Sequence, residues 1–255
     1  MKSGQRIEQQ PALLLHHRPF KDSSLLLDIF SQDHGRLALI ARGARSTKSR
    51  LKGVLRPFMP LRVAWLLRSD LGTLTGAEID GRPLTLKGDS LLSGYYLNEL
   101  LLFFLHRHDP QPEVFSAYRQ TIANMAATDE PAALLRRFEI ELLSLLGYGL
   151  ALGHDALTGD ELDPEMHYEY RPEQGPVQVQ RDTGNMIFAG AALIGIREQR
   201  FEDRAVLRAA NRLLRAILAF HLGGKELKSR KVLLDLHRGQ AKIESPVRIN
   251  NEDEI

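Results

Sequence analysis

The chain has 255 residues, 43% of them hydrophobic, enough for one large domain or two to three small ones around a buried core. It has no cysteine, which excludes disulfides and thiolate-bound zinc, and no run nears the ~18 uncharged apolar residues that span a bilayer. The net charge is only +2, so any site for a polyanion must come from local clustering. The N-terminus MKSGQRIEQQPALLL lacks the apolar core and cleavage site of a signal peptide. A soluble cytoplasmic protein without a membrane partner is expected.

Short apolar runs come first. Residues 12–17 (ALLLHH), 23–30 (SSLLLDIF) and 36–42 (RLALIAR) are separated by turn chemistry at Arg18-Pro19, Asp22-Ser23 and Asp33-His34-Gly35. Beyond Pro57 and Pro60, residues 61–67 (LRVAWLL) and 72–79 (GTLTGAEI) read as two more strands. Five strands in about eighty residues, joined by turns and one long basic loop, suggest a small closed or nearly closed barrel.

The charge collects in that segment. Residues 1–80 hold 13 Lys and Arg against 7 Asp and Glu, which is +6 and leaves −4 for the other 175 residues. Between Asp33 and Asp70 stand nine bases and no acid. A solvated face normally mixes signs, because unscreened like charges repel. The densest part, ARGARSTKSRLKGVLRPF (41–58), carries Arg42, Arg45, Lys48, Arg50, Lys52 and Arg56. Small barrels bind oligonucleotides along basic grooves, with rings for the bases. Phe20, Phe58 and Trp65 are candidate rings, and filling the barrel core is the commoner role for each.

From residue 83 the period changes to helical. SLLSGYYLNELLLFFLHRH (90–108) is apolar almost all round, so it should be a buried helix. Residues 112–127 form an amphipathic helix after two prolines. Thr128-Asp129-Glu130-Pro131 opens a third helix ending at Gly147, with Leu134, Leu135, Phe138, Leu142, Leu145 and Leu146 as its apolar face. Residues 148–176 lose periodicity and read as an irregular insertion, with a hairpin at 166–180. Helix 201–222 carries Arg204, Arg208 and Arg212 on one side and Val206, Ala210, Leu213 and Ile217 on another. Gly223-Gly224 stops it, and a last short helix covers 227–236.

No pattern supports catalysis. The set His106, His108 and Asp109 reads as a polar helix end, GYGLALG misses the dinucleotide spacing, and GARSTKS lacks the glycine of a phosphate loop. The chain is expected not to be an enzyme.

The blocks HRPFKDSSLLLDIFSQDHGRLALIARGARSTKSRLKGVLRPFMPL, YLNELL, LRRFEIELLSLLGYGL and HLGGKELKSR follow in order from about residue 10 to about 236. Together they resemble the RecO family of bacterial recombination mediators. The resemblance implies an α+β, multi-domain chain. Its parts would be an oligonucleotide-binding (OB) barrel over 1–82, a mainly helical domain over 83–240 with an insertion at about 150–190, and a flexible tail over 241–255. It implies binding of single- and double-stranded DNA without sequence specificity, and annealing of complementary strands. With RecR, such a protein promotes RecA loading onto DNA coated by the single-stranded-DNA-binding protein, whose acidic C-terminal tail it contacts. It would have no cofactor and no small-molecule substrate, and would be nucleoid-associated.

The DNA-binding set is expected to be Arg18, Arg36, Arg42, Arg45, Lys48, Arg50, Lys52 and Arg56. Arg136 and Arg137, near Lys225, Lys228 and Arg230 if the fold follows the family, would hold the acidic tail, with Arg136 favoured and ion pairing to Glu139 or Glu141 as the alternative. Many relatives carry a four-cysteine zinc module after the LGYGL block. Here residues 153–176 hold no cysteine, and His154 and His167, with Asp155, Asp160, Glu161 and Asp163 nearby, lack the pairwise spacing of a structural zinc site, so a metal-free hairpin held by packing is expected. Composition and barrel alone also admit an RNA-binding barrel protein with a helical assembly domain, acting in translation or RNA metabolism, and only the matched blocks decide between the two.

Overall fold

The computed structural model describes residues 5–229 and residue 232. Five strands, β1 (Gln5–Phe20), β2 (Ser24–Ser31), β3 (Gly35–Ala41), β4 (Pro60–Leu67) and β5 (Leu71–Ile79), close a barrel in the order β1-β2-β3-β5-β4. All pairings are antiparallel except β3 with β5. This is the expected OB-type barrel. Strand β1 starts seven residues before the apolar run, because Gln5, Arg6 and Ile7 pair with Leu67, Leu66 and Trp65 of β4. Gln5, Arg6 and Glu8 are polar and exposed around the single buried Ile7, and one apolar residue makes no run, so sequence pattern misses them.

The run ALLL explains how the barrel joins the rest. Ala12, Leu14, Leu27, Ile29 and Trp65 fill the barrel interior. Leu13, Leu15 and Phe30 alternate to the outside, yet they are buried too, in one cluster with Leu97, Leu101 and Phe115 of the helices. A strand covered on both faces reads as a continuous hydrophobic run rather than an alternation. The Phe30 and Phe115 rings meet edge to face at 5.4 Å.

The helices are α1 (Gly88–Phe104), α2 (Pro112–Met125), α3 (Ala132–Leu145), α4 (Gly190–Arg197) and α5 (Arg204–His221). Helix α1 is less uniformly buried than its composition suggests. Leu97, Leu100 and Leu101 are fully covered, but Tyr95 is 44% exposed. On α3 the buried stripe is Arg136, Phe138, Glu139, Leu142 and Leu143, while Leu134, Leu135, Leu145 and Leu146 are half-buried. An ion pair therefore occupies part of the face expected to be leucine. The insertion holds a three-stranded sheet ordered β7-β6-β8, from β6 (His167–Arg171), β7 (Gly175–Val179) and β8 (Ile187–Ala189). The hairpin is as expected. Strand β8 and α4 go beyond it, since the run IFAGAALIGI is too short for periodicity to separate strand from helix. The expected last helix over 227–236 lies mostly outside the described residues, as do Arg230 and the expected tail 241–255.

Two polar contacts fix how the barrel meets the helices. A bulge in β1 between Leu14 and His16 takes Leu15 out of register with β2. The Leu15 carbonyl accepts a hydrogen bond from the Asn98 side chain at 2.8 Å, and the Tyr118 hydroxyl donates to the Asn98 carbonyl oxygen. All three groups are buried, and burial raises the Tyr118 pKa, so the phenol stays protonated and donates. At the other edge Arg36 donates to the Leu102 and Leu105 carbonyls, where α1 ends with unpaired acceptors. Gly35 sits against the Asp109 backbone, with φ +66° and room for no Cβ, which would come within 2.1 Å of the Asp109 carbonyl oxygen.

Asn98→Ala should strand the Leu15 carbonyl and the Tyr118 hydroxyl in the seam and lower stability by about 1–3 kcal/mol in urea unfolding. Gln120→Ala, on the exposed face of α2, should change little.

Candidate nucleic-acid interface

The basic segment is a structured cap rather than a free loop. It leaves β3 at Arg42, turns through a 3-10 helix (Arg50–Gly53) and enters β4 at Pro60. Ser49 caps the short helix by accepting from the Leu51 N–H. Ala44, Leu55 and Met59 are buried in the barrel cluster, with Leu51 and Val54 packed against it. The Arg45 N–H donates to the Ser23 carbonyl at 2.8 Å, and its guanidinium reaches the Lys21 and Asp22 carbonyls. Apolar residues thus anchor the segment and leave its cations on the outside.

Between this cap and the start of α1 lies a cleft of about 540 Å³. Arg45, Lys52 and Arg56 line it from the cap, His17 and Leu25 from the barrel, and Leu84, Leu86, Leu91 and Tyr95 from the helical side. Among the described residues no carboxylate lines it. Partial burial, with His16 adding to it, lowers the His17 pKa, so that side chain is neutral near pH 7 and the arginines and lysine supply the charge. Arg18 stands in one row with Leu26 and Ile40, at the barrel end from which Arg42 emerges. Arg18, Arg42, Lys48 and Arg50 are exposed, and none holds an ion pair among the described residues.

Arg36 departs from the expected set. It pairs with Phe30 at the opposite end of β3 from Arg42, about 20 Å away at strand rise. Its guanidinium is mostly covered, 3.6 Å from Asp28 and bonded to the end of α1. It joins the barrel to the helices rather than lining the cationic cleft. The rings sort similarly. Trp65 and Phe58 are buried, and Phe20 lies under Lys21 at 5.7 Å. The exposed ring of the cleft is Tyr95, which helical burial patterning hid.

The second expected site is divided. Arg136 is 8% exposed, and its guanidinium donates to Glu139 at 2.8 Å and to Asn211 at 3.0 Å. Tyr96 donates to the same Glu139 oxygen at 2.6 Å. The alternative of pairing to Glu139 is thus what the geometry shows for Arg136. Arg137 points to the other side of α3, toward the Phe201 ring and the Gln199 carbonyl. Lys225 lies over Phe103, and the Lys228 N–H donates to Glu99. Asn211 stands about three turns before α5 ends at His221, and Lys225 lies beyond that end, so these lysines do not join Arg136 in one site. Instead Arg136 floors a cleft of about 650 Å³ with Leu135, Leu207, Arg204 and Arg208, facing Asp89, Asp129 and Glu130. The i, i+4 arginine stripe on α5 was the sequence signal for Arg204 and Arg208. Arg212 continues the stripe elsewhere, onto the Ile187 carbonyl and the Phe188 ring.

In the insertion, Asp155 closes the hairpin. Its carboxylate accepts from the Leu157, Thr158 and Gln178 N–H groups, and Leu152, Leu162, Tyr168 and Tyr170 pack nearby in the main core. Desolvation alone would raise its pKa, but the three donors outweigh it and hold the carboxyl below its ordinary value. No group of three or more His, Asp or Glu side chains is placed to hold a metal among the described residues.

Two family models match in chain order: Recombination protein O N terminal over residues 5–81, and Recombination protein O C terminal over residues 86–231. The chain belongs to the RecO family. It is 43% identical to the DNA repair protein RecO of Vibrio parahaemolyticus over 233 residues, covering 91% of this chain and 95% of that protein. To the DNA repair protein RecO of Dechloromonas aromatica it is 40% identical over 240 residues, covering 92% and 99%. The RecO models join between residues 81 and 86, where the barrel ends and the helices have yet to begin.

Arg136→Ala should lower stability measurably in urea unfolding, because it removes a buried guanidinium bonded to Glu139 and Asn211, whereas Arg208→Ala should unfold like the parent chain. Asp155→Asn should lower the melting temperature at neutral pH. A depressed carboxyl pKa stabilises above its unfolded value, 3.8, and that contribution is lost as pH falls through the lower folded value. The gap between the two melting curves should therefore close in acid.

Proposed function

We propose that this chain acts in DNA repair as a recombination mediator that binds DNA through the cleft between the basic cap and α1. The observation that carries the reading is a cleft lined by Arg45, Lys52 and Arg56 and, among the described residues, by no carboxylate, on an OB-type barrel of a RecO-family chain. Cations that neutralise phosphates release condensed counterions, so affinity is gained without reading sequence. A mediator needs that indifference, because damage falls anywhere. The same exposed cations, with Arg18, Arg42, Lys48 and Arg50 beside them, screen two polyanions from each other, which is what annealing requires. No covalent step is assigned to any residue.

In this reading the acidic tail of the single-stranded-DNA-binding protein docks in the second cleft. Leu135 and Leu207 offer apolar contact, and Arg204 and Arg208 supply charge-assisted donors. Arg136 shapes the floor of that cleft and is held by Glu139. RecR and RecA remain the partners through which the activity is expressed. Because Arg136→Ala damages the fold, the separation of the two sites is tested with Arg204 and Arg208.

Log affinity for single-stranded DNA should fall linearly with log salt, by roughly 0.7 per phosphate contacted. The triple reversal Arg45→Glu/Lys52→Glu/Arg56→Glu should abolish oligonucleotide binding while the chain stays folded, with far-UV circular dichroism like the parent's. Arg204→Ala/Arg208→Ala should instead weaken binding of the tail peptide and spare naked DNA. Parent-like DNA affinity in the triple reversal would overturn the assignment of the cleft, and tighter binding of RNA than of DNA would favour an RNA-binding role.

A further inference from the structure

Tyr95 stands out on α1. Its neighbours Gly94 and Tyr96 face the protein, and Tyr96 is tied to Glu139, yet Tyr95 is 44% exposed and lines the carboxylate-free cleft. The ring is set by its surroundings. Phe58 meets it edge to face, with centroids 5.1 Å apart and planes at 69°. Phe58 is itself 4% exposed and has φ +66°, a backbone conformation that bulky residues rarely adopt and that persists only where packing over-determines it. The packing comes from α1. A Cβ at residue 94 would lie 2.9 Å from the Phe58 ring and 2.6 Å from Leu86, so only glycine admits both side chains there. A strained aromatic at the end of the cationic cap, seated by a glycine in the helix, thus presents the next residue of that helix as a fixed ring.

We propose that Tyr95 is a stacking platform for one unpaired base, and that the cleft binds single strands across the seam between barrel and helices. Arg45, Lys52 and Arg56 take the phosphates on the barrel side, and the base turns toward α1. Stacking on a ring accepts any base, because every base has a π-face. A cleft of about 540 Å³ lies within the usual ligand range of ~300–1,000 Å³. Duplex DNA keeps its bases stacked on each other, so it uses the cations and not the ring. Tyr95 therefore sets the preference for single strands over duplex, whereas the cationic cap serves both. The inference rests on the reading of this cleft as the DNA site.

The test uses the full chain, a single-stranded oligonucleotide carrying one 2-aminopurine, the same oligonucleotide with an abasic residue, and a hairpin-closed duplex. Tyr95→Ala should weaken single-strand binding about ten-fold and leave duplex binding unchanged. It should also abolish the quenching of 2-aminopurine that the parent chain produces. Tyr95→Phe should behave as the parent, which separates stacking from loss of the hydroxyl, and unchanged duplex binding by Tyr95→Ala separates it from altered packing on Phe58. The abasic oligonucleotide should bind the parent more weakly and gain no further penalty from Tyr95→Ala. Equal losses on single strand and duplex, or losses from the abasic site and from Tyr95→Ala that multiply, would overturn the platform. Recovery of 2-aminopurine fluorescence when the acidic tail peptide is added would give the cleft to a protein partner and overturn it too. If Tyr95→Ala has no effect while the triple reversal abolishes binding, the platform fails alone. If the triple reversal also binds normally, the reading of the cleft fails with it.

Discussion

The seating of α1 on the barrel turns on a buried carboxamide, Asn98, reaching from α1 to the Leu15 carbonyl in the bulge of β1. A barrel strand that must also pack against helices has one peptide out of register, and an unpaired carbonyl in an apolar seam costs about 1–3 kcal/mol. Asn98 satisfies it, and Tyr118 satisfies Asn98. Arg36 does the corresponding work at the other edge, for the carbonyls where α1 ends. Around these contacts Leu13, Leu15 and Phe30 leave the barrel surface and join the helical core. The two parts are therefore packed as one body, with the polar contacts setting the register that apolar packing alone would leave loose.

That register brings the start of α1 opposite the basic cap. The cap is anchored by Leu55 and Met59 inside the barrel and by Phe58 against α1, so its cations are held out from a fixed base. The contrast with the second cleft is electrostatic. There Arg136, Arg204 and Arg208 face Asp89, Asp129 and Glu130, and the deepest guanidinium is committed to Glu139. A surface of mixed sign suits a short peptide with both apolar and acidic groups, whereas an acid-free one suits a long polyanion of any sequence. Helix α1 lines both clefts, but their exposed cations stand on different elements, the basic cap and α5, which is the physical basis for expecting substitutions to separate them.

The amino-acid sequence by itself determined the strands that begin at apolar runs, the helices with caps and breaks, and the acid-free segment, because each leaves a local signature. It also determined that no thiolate is available for the insertion, where Asp155 instead gathers three backbone donors. Membership of the RecO family was legible in its ordered blocks. Only the tertiary structure decided which charges act together. Arg36 belongs to the same acid-free run as Arg45, yet β3 carries it to the far end of the barrel and the end of α1 takes it up. Arg136 is expected from sequence to hold an acidic tail beside Arg137, but the helix turns it inward to Glu139, and α5 brings Arg204 and Arg208 to it from about seventy residues away. Tyr95 lies in a stretch so apolar that pattern buries it. Its exposure follows from the close approach of Phe58 at Gly94, a contact between segments that no local periodicity contains.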